Sequence, residues 1–228
     1  MSTNPRVYGH AVFLTLLISA VSSQAASGCA GGQGIAPNTA SPEQLGKQFL
    51  ALKKFDRAVI QFRRAVQLSP NLPELRNELG VALVGQNNLK GALSEFKEAA
   101  RLDPGYADAR SNIGLTLLKL GDPKAAFDEL RGVVEQEPLV AEGHYRLGLV
   151  LMTIGDVTTA IAEFRRAIEL QPQSPEAINN LGVALAAQGK VDEALSEFRQ
   201  ALRLRPDYAD AHYNLGLGEL KKGDAPEA

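Results

Sequence analysis

Small and apolar positions recur along this chain with a single period. Pro70, Pro104, Pro138, Pro172 and Pro206 are each 34 residues apart. The same 34-residue step links Gly46, Gly80, Gly114, Gly148, Gly182 and Gly216, and likewise Ala58, Ala92, Ala126, Ala160, Ala194 and Ala228. Within one period the apolar residues follow helical spacing. Ile178, Leu181 and Leu185 form one stripe, and Ala194, Leu195, Phe198, Ala201 and Leu202 form a second. Each period therefore predicts two helices joined by a turn. Gly121, Gly155, Gly189 and Gly223 stand where the first helix should end in a left-handed residue. Lys53 and Asn87 take that place in the first two periods, and of the two Asn tolerates the conformation better. The periodic prolines stop each second helix, because proline lacks an amide hydrogen and clashes with the preceding turn. Pro42, Pro73 and Pro175 sit near helix starts, where a missing amide is harmless. Ser41 is a fitting N-cap before Pro42.

The residues that mark the period have a recognisable order. Leu or Ile precedes each periodic glycine, at Leu45, Leu79, Ile113, Leu147, Leu181 and Leu215. Phe62, Phe96, Phe164 and Phe198 recur later in the period, with Leu130 in the third. Ala65, Ala99, Ala167 and Ala201 follow three residues on, with Val133 in the third. This order resembles the tetratricopeptide repeat (TPR). In that phase the repeats span 39–72, 73–106, 107–140, 141–174 and 175–208, with a partial repeat or capping helix over 209–228. The resemblance implies an all-α, right-handed α-solenoid of five full hairpins plus one further helix, its first helices lining a concave channel. One hairpin cannot bury its apolar face alone, whereas stacked hairpins can. At the far end, Leu215, Leu217 and Leu220 are expected to leave an apolar edge, which either docks something or continues into further chain.

Charge and composition narrow the function. Lys plus Arg is 24 against 26 for Asp plus Glu, which gives a net charge of −2, and there is no Trp. That balance argues against a nucleic-acid partner, which calls for a basic excess or a stacking platform. Cys29 is the only cysteine, so an intrachain disulfide is excluded and a Cys/His metal cluster is not expected. No catalytic, phosphate-loop or zinc-protease motif is present, so neither an enzymatic activity nor a cofactor is expected. His144 and His212 share one repeat position and read as packing residues. Glu95, Glu129, Glu163 and Glu197, near Lys97, Arg131, Arg165 and Arg199, read as a solvated outer face. The basic members of that face could form a stripe toward lipid headgroups or an acidic partner.

The N-terminus reads as an address. Arg6 and His10 precede the 11-residue run Ala11–Val21, followed by small and polar residues, which is the pattern of a secretory signal peptide over 1–28. The run is too short to span a bilayer, which takes about 20 apolar residues. Ser23-Gln24-Ala25 suits ordinary cleavage, whereas Ala26-Ser27-Gly28-Cys29 resembles the lipobox of bacterial lipoproteins, with Cys29 lipidated. Residues 29–40 have the composition of a flexible tether. Both routes imply an exported protein, either periplasmic or held at the outer membrane by a lipid on Cys29.

The family resemblance also marks the inward positions. One register gives Glu74, Asp108, Glu142, Glu176 and Asp210. The next two give Asn77, Ser111, Tyr145, Asn179 and Tyr213, then Glu78, Asn112, Arg146, Asn180 and Asn214. Deeper positions are apolar, and Lys119 and Lys221 lie near helix ends. The groove expected from these has an apolar floor, amides along it and an acidic rim. It is similar in part to the asparagine ladder of TPR-bearing glycosyltransferases, interrupted by Glu78 and Arg146. The expected partner site is Asn77, Asn112, Lys119, Tyr145, Arg146, Asn179, Asn180, Tyr213 and Asn214, and replacing its amides is expected to leave folding nearly untouched. The expected function is a cell-envelope adaptor that grips an extended or helical segment of another protein. Alternatives are the substrate-presenting part of a larger enzyme such as a glycosyltransferase, and a self-assembling spacer.

Overall fold

The computed structural model describes residues 40–223, so the expected signal segment, Cys29 and residues 224–228 lie outside it. The described residues are all helical, with no strand. The helices are α1 (Pro42–Ala51), α2 (Phe55–Leu68), α3 (Pro73–Gly85), α4 (Leu89–Leu102), α5 (Ala107–Lys119), α6 (Pro123–Gln136), α7 (Ala141–Ile154), α8 (Val157–Leu170), α9 (Pro175–Ala187), α10 (Val191–Leu204) and α11 (Ala209–Gly223). Within each of its two units neighbours in sequence pack as antiparallel hairpins, and the architecture is an all-α solenoid. It divides into two compact units, whose described parts are residues 40–120 and 121–223.

The helix boundaries follow local chemistry. Ser41 Oγ accepts from the Gln44 amide and the Gln44 side chain accepts from the Ser41 amide, a complete capping box before Pro42. Asn88, Asp122, Asp156 and Ser174 cap their helices through side-chain oxygens. After the first helix of each hairpin the backbone turns left-handed, at Lys53 (φ 54°), Asn87 (φ 61°), Gly121 (φ 85°), Gly155 (φ 93°) and Gly189 (φ 83°). The second helices stop at Leu68, Leu102, Gln136, Leu170 and Leu204, two residues before the periodic prolines.

In the first unit, α2 packs on α1 and α3, and α4 on α3 and α5. Its core joins Ala58, Val59, Phe62, Leu75, Leu79, Leu83, Phe96 and Ile113. In the second unit α6 to α11 pack in succession, and α9 also touches α7 and α11. Phe164, Ile178 and Leu185 are almost wholly buried there. The seam of the hairpins α1/α2, α3/α4, α7/α8 and α9/α10 is a phenylalanine ring against a glycine, whereas the third repeat carries Leu130 at the ring's position. A Cβ built on Gly46 would lie 2.7 Å from a Phe62 ring carbon, and one on Gly148 would lie 2.6 Å from a Phe164 ring carbon. The helices approach closely because the glycine has no side chain, and burying each ring contributes about 1.5–3 kcal/mol.

One expectation is overturned. Glu95, Glu129, Glu163 and Glu197 are half-buried rather than solvated. Glu95 and Glu163 sit on the side of their helix that leans on the first helix of the same repeat. Arg76 on α3 donates to Glu95 on α4 at 3.0 Å. His144 on α7 meets Glu163 on α8 with Nδ1 at 2.6 Å from Oε2, and its Nε2 lies 3.0 Å from the Pro138 carbonyl. His212 repeats the second contact, with Nε2 2.8 Å from the Pro206 carbonyl. The histidines thus tie the proline turn to the following helix. Glu197 faces the position that Ile178 occupies in place of a basic residue, and burial raises its carboxyl above the usual range.

Candidate functional site

The polar residues expected to line the channel lie on first helices, and the structure links them in one register. In the first unit, Asn112 Nδ2 on α5 donates to Asn77 Oδ1 on α3 at 2.9 Å. In the second, Asn180 Nδ2 on α9 donates to Tyr145 Oη on α7 at 3.0 Å, and Asn214 Nδ2 on α11 donates to Asn179 Oδ1 on α9 at 3.1 Å. Each bond joins residues 35 apart, one repeat plus one residue. The extra residue shifts the donor along its helix toward the neighbouring first helix, which a strict 34-residue comparison does not show.

These side chains are buried: Asn77, Asn112, Tyr145, Asn179, Asn180 and Asn214 are all less than one-tenth exposed. The ladder therefore joins repeat to repeat, and removing its amides does not leave folding untouched. A buried amide that loses its partner forfeits about 1–3 kcal/mol. An amide carries one acceptor oxygen and two N–H donors, so it can make more than its ladder bond, as Asn77 does with the Tyr106 side chain. Tyr145 is held further by its ring, 6.1 Å from that of Phe164. Burial drives its phenol well above the ordinary value.

Charged groups flank the ladder. Arg146 is buried, and its Nε donates to Glu142 Oε1 at 2.6 Å. Arg205 pairs with Glu176 and lies over the Tyr208 ring, 4.8 Å from its centroid. Burial, reinforced by Asp210 and Glu176, pushes the Tyr208 phenol up to about 12. Tyr106 in the first unit is likewise raised to about 12 by burial, with Asp108, Glu74 and Glu78 adding to the effect. Tyr213 and Lys119 are the exposed members of the expected site, Tyr213 at 55%.

The first rung of the register departs from the rest. Where other repeats place amide, hydroxyl or guanidinium, Glu78 faces Glu43, again 35 residues apart. Lys47, absent from the expected site, resolves the clash. Its Nζ donates to Glu43 Oε1 at 2.6 Å and lies 3.0 Å from Glu78 Oε1. Glu78 Oε2 is buried with no partner. Burial raises the Glu78 carboxyl above its usual range, and Lys47 offsets this only in part. The sequence signal for Lys47 was its place one turn after Glu43 on the same helix.

Chemically the face can donate and accept hydrogen bonds and hold charge. Among the described residues no group of three or more His, Cys, Asp or Glu side chains could hold a metal ion. Cys29 lies outside the described residues.

Comparison with known proteins agrees with the hairpin architecture. Residues 82–121 and 184–223 match the family model described as TPR repeat. Residues 111–175 and 163–196 match models described as tetratricopeptide repeat. The chain is similar to a thermophilic TPR protein of Thermus thermophilus, with 25% identity over 78% of this chain and 97% of that one, at a TM-score of 0.69. It shares its fold with YrrB, a TPR protein with an unusual peptide-binding site, at 24% identity over 75% of this chain and 89% of that one, TM-score 0.58. It also shares its fold with a chain of the Cut9–Hcn1 hetero-tetramer of the APC/C, at 22% identity over 79% of this chain and 36% of that one, TM-score 0.73. No curated protein matches the sequence.

Proposed function

Because the chain belongs to the tetratricopeptide-repeat family, we propose that it is a protein-interaction scaffold of the cell envelope that holds an extended or helical segment of a partner against its first helices. The observation that carries this reading is the register of the ladder. In each unit separately, amide and hydroxyl groups on successive first helices are fixed in place by their neighbours. Side chains already immobilised lose little entropy when a partner's backbone N–H or C=O adds to them. An extended segment presents such groups at regular intervals, so a periodic row of amides suits it. The peptide-binding site of YrrB supports the idea that this fold accommodates a peptide. The face offers hydrogen-bonding groups and charge, which suits binding rather than bond-making.

The envelope location rests on the sequence of residues 1–28 and on Cys29. Export delivers the scaffold to the periplasm, and lipidation of Cys29 would hold it at the outer membrane. The mass of the mature protein, compared between the natural chain and Cys29→Ser, distinguishes a lipidated from a free N-terminus.

Tyr213 and Lys119 give the cleanest test of the binding face, since both are exposed and neither belongs to the ladder bonds. Crosslinked partners should be captured by the natural chain and lost from Tyr213→Ala/Lys119→Glu, at unchanged helicity. Equal capture by both would refute the assignment of this face.

A further inference from the structure

The outward face of α2 differs from that of every other second helix. Lys53, Lys54, Arg57, Arg63 and Arg64 are all exposed, and among the described residues none of them forms an ion pair. The single acidic residue of α2, Asp56, already accepts a hydrogen bond from Gln86 Nε2 at 2.7 Å. On the later second helices several outer arginines are neutralised by acidic neighbours. Arg101 pairs with Glu98, Arg166 with Glu169 and Arg199 with Glu219.

Large aliphatic side chains lie among these cations. Leu52 is 62% exposed, Ile60 50% and Leu68 73%. Ile60 stands at a repeat position that holds Ser94, Asp128, Ala162 and Ser196 in the later repeats, so the repeat pattern itself does not call for an apolar residue there. At 100° per residue, Arg57, Ile60, Arg63, Arg64 and Leu68 share one arc of α2, opposite the buried Ala58, Phe62 and Ala65.

Two of the cations work against the stability of the hairpin. Lys53 occupies the left-handed turn (φ 54°) that later repeats give to Asn or Gly. A non-glycine residue there is strained, and such strain points toward a role outside folding. Lys54 is the N-cap of α2, makes no side-chain capping bond, and brings positive charge to the positive end of the helix dipole.

We propose that the outward face of α2, with Lys53 and Lys54, docks on an anionic lipid surface, with Ile60, Leu52 and Leu68 entering the headgroup boundary. The cations extend along about 16 Å of chain at helical rise. One convex helix face offers a stripe rather than a groove, which fits a plane of charge better than a peptide. Basic groups flanking exposed aliphatics are the chemistry of helices that lie in a membrane interface. The face is distinct from the ladder, so this contact and partner binding can occur together.

The test uses the full chain and flotation with phosphatidylcholine vesicles, with and without phosphatidylglycerol. Salt-sensitive binding to the anionic vesicles is expected. Arg57→Gln/Arg63→Gln/Arg64→Gln should weaken it about a hundred-fold, since each charge near an anionic surface contributes about 1 kcal/mol. The chain has no Trp, so Ile60→Trp gives a single indole whose emission should shift to the blue only on anionic vesicles. That reading is local to α2 and independent of any contribution from residues 1–28. An unshifted indole, or a triple variant that floats like the natural chain, would overturn the proposal. So would loss of binding to an acidic protein in the triple variant with vesicle binding unaltered.

Discussion

The Phe198 ring rests on the backbone of Gly182, so that a Cβ on the glycine would sit 2.6 Å from ring carbon Cε1. No side chain fits in that gap. Gly182→Leu should therefore push α9 from α10 and destabilise the chain by about 1–3 kcal/mol or more. Gly216 is the internal control, because it shares the repeat position on α11 yet has nothing within 4 Å of its would-be Cβ. Gly216→Ala should be neutral, or stabilising by up to about 1 kcal/mol through helix propensity. Urea melts of the two variants check the contrast.

The ladder bond between Asn214 and Asn179 calls for a double-mutant cycle. Asn179→Ala and Asn214→Ala should each cost about 1–3 kcal/mol, because each leaves a buried partner unsatisfied. The double variant should cost less than the sum, with a coupling of about 0.5–3 kcal/mol. Strict additivity would show that the bond does not link the two repeats.

Glu78 gives a pH-dependent prediction. Burial raises its folded carboxyl above the ordinary 4.5, so protonation favours the folded chain and the charged form weighs against it as pH rises through and above that value. Glu78→Asn removes the buried charge and places an amide donor opposite Glu43, in the register of the other rungs. It should raise the melting temperature at neutral pH, and the gain should shrink below about pH 4.5, where the natural carboxyl is protonated. Scans at both pH values decide.

Lys53 carries a simpler prediction. Lys53→Gly relieves a left-handed φ of 54° and should stabilise the first hairpin by about 1 kcal/mol. A thermal melt measures it. A loss of stability would mean that Lys53 makes a compensating contact.

Most of the architecture was legible because three residue types shared one period. The proline stops, the Ser41 cap and the left-handed positions are each local, and each follows from one residue's geometry. What the sequence concealed involved pairs. The ladder runs at 35 residues rather than 34, so aligning repeats in phase places Asn77 beside Ser111 and hides its bond to Asn112. Glu95 and Glu163 looked solvated because their partners, Arg76 and His144, lie 19 residues earlier, on the preceding helix. Lys47 escaped notice for a similar reason, since its role appears only once Glu43 and Glu78 are seen to face each other.

The central claim is that partners are held on the first helices. A photo-crosslinking residue placed in turn at Lys119 and Tyr213, and on the second helices at Lys97 and Arg131, tests it most directly when the adducts are identified by mass spectrometry. The account predicts protein adducts from Lys119 and Tyr213 and none from Lys97 or Arg131. Adducts from the second-helix positions alone would contradict it.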